Sequence, residues 1–157
     1  MKKYLLLVLL SLLLAGCSLL VKKDENTRAE AAVVAFFDHL SKGEYEQAAA
    51  LYGADYQPLT YLNPNIPQEE HAALWRNACE INGYQCLPVL RVIKTEKFSL
   101  NEYMLTVEFR DANGQAFVFG PCCGADEQAM PPETQFEMFV IEREGDYLVT
   151  SLPVFVP

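Results

Sequence analysis

Apolar residues change their spacing at Leu87, and no other feature of this chain constrains its fold as tightly. Before Leu87 they recur every three or four positions; after it they alternate. The first spacing buries one stripe of a helix, the second one face of a strand. The order implied is helices first, then an antiparallel meander: an α+β domain whose helices cover one face of the sheet.

Three helices are expected. Thr27-Arg28-Ala29-Glu30 reads as a capping box, and Ala29, Val33, Phe36, Phe37 and Leu40 form one stripe up to Gly43. A short second helix, Glu44 to Tyr52, presents Tyr45, Ala48, Leu51 and Tyr52. Gln57 to Pro67 is rich in Pro and Asn and reads as irregular. Pro67 is suited to the first turn of a third helix reaching Asn82, with Leu74, Trp75, Ala78 and Ile81 buried and Gly83 as its stop. Strands follow at Val89 to Phe98, Tyr103 to Arg110, Ala116 to Phe119, Gln135 to Arg143 and Tyr147 to Val156. Asp111-Ala112-Asn113-Gly114 is a hairpin signal between the second and third of them. Pro153 implies that the last strand is bulged or lies at an edge. The sheet should hold four to five strands.

The run from Phe36 to Ala49, with its aromatic pair, its Gly43-Glu44-Tyr45 turn and its Ala-rich second helix, resembles the opening of nuclear-transport-factor-2-like domains. The resemblance covers residues 27–156 and implies three helices on a strongly curved antiparallel sheet, together forming a cone. Enzymes of that superfamily, such as ketosteroid isomerase and scytalone dehydratase, place Asp or His inside the cone. Fold alone does not transfer that chemistry.

The N-terminus is of another kind. Lys2 and Lys3 precede an almost unbroken apolar run, Tyr4 to Leu14, which ends in Leu14-Ala15-Gly16-Cys17. A charged start, a short apolar stretch and small residues before a cut site make a secretory signal. The last four residues resemble a lipobox, which implies a diacylglyceryl group on the Cys17 thiol and cleavage just before it. Eleven helical residues span only about 16 Å, against a hydrocarbon core of about 30 Å. A spanning helix would need the run extended through Val21. Residues 1–16 are thus expected to be a signal peptide, residues 17–26 a lipidated cysteine and tether, and 27–157 the domain. Acyl chains of the palmitate kind hold firmly when there is more than one. The tether, residues 18–26, reaches about 30 Å when extended. The expected location is the extracytoplasmic side of the cell membrane or outer membrane, and Ser18 after the lipidated residue resembles the outer-membrane sorting pattern.

Loss of Lys2 and Lys3 takes the formal charge from −9 to −11, a field that repels nucleic acid. Besides Cys17 there are four cysteines, Cys79, Cys86, Cys122 and Cys123. An even number in an exported domain points to disulfides, and four allow three connectivities. Cys79–Cys86 is the preferred pair, because it would pin a helix end across the Gly83 turn. Cys122 and Cys123 could close on each other, stay free or bridge to the other two. A metal site is disfavoured, because the spacing lacks the usual C-x-x-C form.

No catalytic, phosphate-binding or dinucleotide motif is present, and no cofactor is implied. His39 beside Asp38 could act as a base at the mouth of a cone, but a boundary histidine on an amphipathic helix is the simpler reading. His71 follows Glu69 and Glu70, acids that complement a helix N-terminus. Tyr45, Tyr52, Tyr56, Tyr61 and Trp75 could line an apolar pocket; core packing is the commoner role of such residues. The leading functional reading is a membrane-anchored, non-catalytic binding or structural module of the cell envelope. Its partner would be an envelope protein or an apolar small ligand. The alternatives are a ligand-binding or enzymatic cone using Asp38 and His39, with Tyr52 and Trp75 in its pocket, and a thiol redox or metal-binding protein.

Overall fold

The computed structural model describes residues 24–156. The expected signal peptide, Cys17 and most of the expected tether lie outside the described residues. None of the described helices is long and apolar enough to cross a membrane.

Helix α1 occupies residues 24–42. It therefore begins before Thr27, which lies inside it and does not cap it, and residues 24–26 are helix where a tether was expected. Ala29, Val33, Phe36, Phe37 and Leu40 are all buried, as their spacing requires. Gly43, at φ +73°, ends the helix, with Gly43 N donating to Leu40 O and Glu44 N to His39 O. Helix α2, Tyr45–Ala50, buries Tyr45 and Ala48.

Helix α3, Gln57–Leu62, stands where irregular chain was expected. The Asp55 carboxylate accepts from Gln57 N at 2.9 Å, and Pro58 sits in the first turn, where its missing N–H costs nothing. Helix α4, His71–Glu80, starts later than Pro67. Glu70 N donates to Pro67 O, which closes a separate turn, and the helical ladder starts with Leu74 N on Glu70 O. Leu74, Trp75 and Ala78 are buried as expected, but Ile81 is 71% exposed. The helix has ended at Glu80, so Ile81 no longer follows its apolar face.

Six strands follow in two sheets. Strands β2 (Val89–Lys97), β3 (Glu102–Phe109), β4 (Phe136–Arg143) and β5 (Asp146–Val149) form an antiparallel sheet in that order. Strands β1 (Tyr84–Gln85) and β6 (Val154–Phe155) form a separate antiparallel ribbon. The expected final strand, Tyr147 to Val156, is thus two strands, interrupted over residues 150–153, which include Pro153. Ala116 to Phe119 forms no regular strand; it contributes only the isolated bridges Arg110–Ala116 and Phe119–Glu133. Strand β2 has two register shifts, a device that bends an edge strand. The other edge, β5, is covered by residues 51–53: Val149 N donates to Leu51 O and Gly53 N to Val149 O.

Tyr103, Leu105, Val107 and Phe109 of β3, with Met138 and Val140 of β4, turn one face of the sheet toward α1. Phe37 meets Phe109 with ring centroids 4.6 Å apart, and Phe36 meets Trp75 of α4 at 5.3 Å. Helix α1 thereby joins the sheet to the other helices. Cys79, in the last turn of α4, is disulfide-bonded to Cys86 across the Gly83 turn, with Cα atoms 5.4 Å apart.

Candidate functional site

Sequence reasoning placed two kinds of candidate around a pocket: the polar pair Asp38 and His39, and the aromatics Tyr52 and Trp75. The fold separates them. Asp38 accepts an ion pair from Lys42 one turn further along α1, at 2.6 Å. His39 Nδ1 lies 2.6 Å from the Glu44 carboxylate, across the end of the helix. Both pairs lie at the surface, and neither Asp38 nor His39 is aimed at the aromatic interior.

Tyr52 and Trp75 do come together, but in a packed cluster. Their ring centroids are 5.0 Å apart, edge to face. Tyr56 completes the group, 5.1 Å from Tyr52. Trp75 Nε1 donates to the Tyr56 hydroxyl at 3.2 Å, so the buried indole N–H has a partner. His71 stacks flat on the outer side of Tyr56, with centroids 3.9 Å apart. Burial pushes the Tyr52 and Tyr56 hydroxyls above the ordinary phenol range. A deprotonated tyrosine at neutral pH is thereby disfavoured. Tyr52, Tyr56 and Trp75 are all buried, so the cluster is part of the core.

An open apolar groove lies elsewhere. A groove of about 470 Å³ runs between α3 and the β1–β6 ribbon, walled mostly by apolar atoms of Pro58, Tyr61, Leu62, Tyr84 and Phe155. Tyr61 is 84% exposed along one wall, and the rings of Tyr84 and Phe155 meet at 5.4 Å on the other. Sequence reasoning missed this groove because it read residues 57–67 as irregular. The signal available was Pro58 followed by Leu59 and Leu62, one helical turn apart. Beneath the groove an amide network fixes α3 to α4. The Asn63 side chain donates to Leu59 O and to the Asn82 side chain, both at 2.8 Å, and accepts from Asn77 at 3.0 Å.

Cys122 and Cys123 are free, with sulfur atoms 2.7 Å apart in a loop where Cys123 (φ +60°) and Gly124 (φ +90°) both take left-handed backbone. The hydrogen bond to Cys123 holds the Cys122 thiol above its ordinary range, the reverse of what an activated nucleophile needs. Among the described residues no group of three or more His, Cys, Asp and Glu is placed to hold a metal ion. The sequence matches no family model and no curated protein.

Proposed function

We propose that the chain is a bacterial lipoprotein: acyl chains on Cys17 hold one small α+β domain at an extracytoplasmic membrane face, where it serves as a non-catalytic binding or structural module. The observation that carries this reading is the N-terminal pattern, two lysines, an apolar run too short to span a bilayer as a helix, and Leu14-Ala15-Gly16-Cys17. The Cys79–Cys86 disulfide supports it, since such bonds persist in oxidising compartments. So does the separation of Asp38 and His39 from the aromatic interior, since the enzymatic alternative rested on that pair facing it. The domain itself we read as nuclear-transport-factor-2-like, on the order of helices before an antiparallel meander.

The experiment is metabolic labelling with a radioactive or clickable palmitate in a bacterial host. Wild type is expected to carry the label and to sediment with membranes. Cys17→Ala is expected to lose the label and to remain an uncleaved precursor. Equal labelling of the two proteins would defeat the proposal.

Capture of an apolar small ligand is a second reading, favoured by the groove between α3 and the ribbon. Leu62→Asp places a charge in its wall while leaving the core untouched. Binding of an apolar fluorescent probe should then weaken at least about ten-fold, the scale of one charge set against an apolar contact. Unchanged binding would remove the groove from consideration.

A further inference from the structure

The end of the sheet that meets residues 25–28 of α1 carries two exposed apolar side chains. In the turn between β2 and β3, residues 98–101, Phe98 is 68% exposed and Leu100 88%. The turn is closed without them. Phe98 N and Ser99 N both donate to Glu102 O, Ser99 Oγ donates to the Glu102 carboxylate, and Glu142 N donates to Asn101 O. Phe139, on the neighbouring β4, extends the apolar strip, its ring centroid 6.3 Å from that of Phe98.

The residues flanking the turn fix its place relative to the N-terminus. Lys97 Nζ donates to the Glu25 carboxylate at 2.8 Å, and Tyr103 Oη donates to the same oxygen at 3.0 Å. Arg28 donates to Gly145 O in the β4–β5 turn and lies over the Tyr147 ring. Residues 25–28 of α1, the 98–101 turn and the β4–β5 turn therefore share one end of the domain. From Cys17 to Glu25 the chain spans at most about 28 Å, so a lipid on Cys17 would hold this end within that reach of the bilayer. The opposite end of β3, with the Asp111–Gly114 turn, lies about 25 Å further along the strands.

We propose that the 98–101 turn is a lipid-docking tip: Phe98 and Leu100 enter the surface of the membrane that holds the anchor, and the domain stands in one orientation on it. This rests on the lipoprotein reading above. Two apolar side chains at an aqueous edge gain by entering the interfacial region, and the anchor has already confined them there. The surface they fit is a neutral one. Glu102, Arg143 and Glu144 are exposed beside the tip and Lys22 and Lys23 precede it in the chain, so the charges there are mixed and a zwitterionic surface suits apolar entry.

The test uses the lipidated full chain, with L100W and V118W reconstituted separately into phosphatidylcholine vesicles whose acyl chains are brominated near the headgroup. Val118 is 53% exposed and lies beyond the far end of β3, so it serves as the distant control. The native Trp75 is fully buried, and its emission is subtracted using wild type. The added emission of L100W is expected to shift to the blue and to be quenched at least about two-fold, with V118W unaffected. Equal quenching at both sites, or none at L100W, overturns the docking tip. The intact mass of the same sample separates the two readings. Acyl chains present with L100W unquenched would sink the tip alone; acyl chains absent would sink the anchor and the tip with it.

Discussion

Glu108 shows how far a single residue can depart from its pattern. Alternation along β3 assigns it to the outer, wet face, yet Val107, Glu108 and Phe109 are buried in succession. The carboxylate is covered by Arg91, whose Nε donates at 2.8 Å, and by Gln135, whose amide lies at 3.5 Å. The Arg91 hydrogen bond holds the Glu108 carboxyl below its ordinary value, against the opposing pull of burial. A carboxyl whose value is lower folded than unfolded stabilises the fold above its unfolded value, near 4.5, and that contribution is lost as pH falls through the folded value. Melting temperature should therefore drop as pH falls below about 4.5, and Glu108→Gln should flatten that limb while lowering stability at neutral pH. Thermal melts between neutral pH and pH 3 check this; parallel curves for the two proteins would contradict it. Tyr56 is a second such residue. Tyr56→Phe keeps the ring that stacks on His71 but removes the acceptor of the Trp75 indole, at an expected cost of about 1–3 kcal/mol in urea unfolding.

Elements were legible where burial on one side dictated spacing. Helix α1 was readable because its stripe runs unbroken over several turns, and β3 because Tyr103, Leu105 and Val107 alternate. Helix α3 was not, because in six residues only Leu59 is buried, too little for a period to show. The last strand split because residues 51–53 pair with β5 at Val149, whereas β6 pairs with β1. Such long-range pairings leave no mark in local sequence. Two element-scale predictions follow from the joints. The paired substitution Cys79→Ser with Cys86→Ser frees the end of α4 from β1 and should cost about 2–3 kcal/mol in the chain-entropy view. Matching denaturation of wild type with and without reductant checks that the bond is the cause. At Gly53 a Cβ would sit 2.7 Å from Cβ of Leu148 and 3.4 Å from Ile141 Cγ2. Gly53→Ala should therefore push the 51–53 segment off β5 and destabilise by about 1–3 kcal/mol. An unchanged urea midpoint would show that the segment yields freely.

At the scale of the whole molecule, the fold class followed from one change of period, because helices and strands must each bury one side and share a single core. The site was less legible. The expected pocket residues divided between a packed aromatic cluster and two surface ion pairs, and the open groove arose from α3 and from the β1–β6 ribbon, whose partners lie about seventy residues apart. The proposed function rests most on the N-terminal pattern, where position, charge and motif converge on Cys17. On the proposed anchor, the clamp of Glu25 by Lys97 and Tyr103 would place this end of the domain within the tether's reach of the lipid. The most direct measurement is the intact mass of the protein extracted from the membranes of a bacterial host. The predicted mass is that of a chain beginning at Cys17 and carrying a diacylglyceryl group. A chain that retains Met1, or one with an unmodified thiol at Cys17, would contradict it.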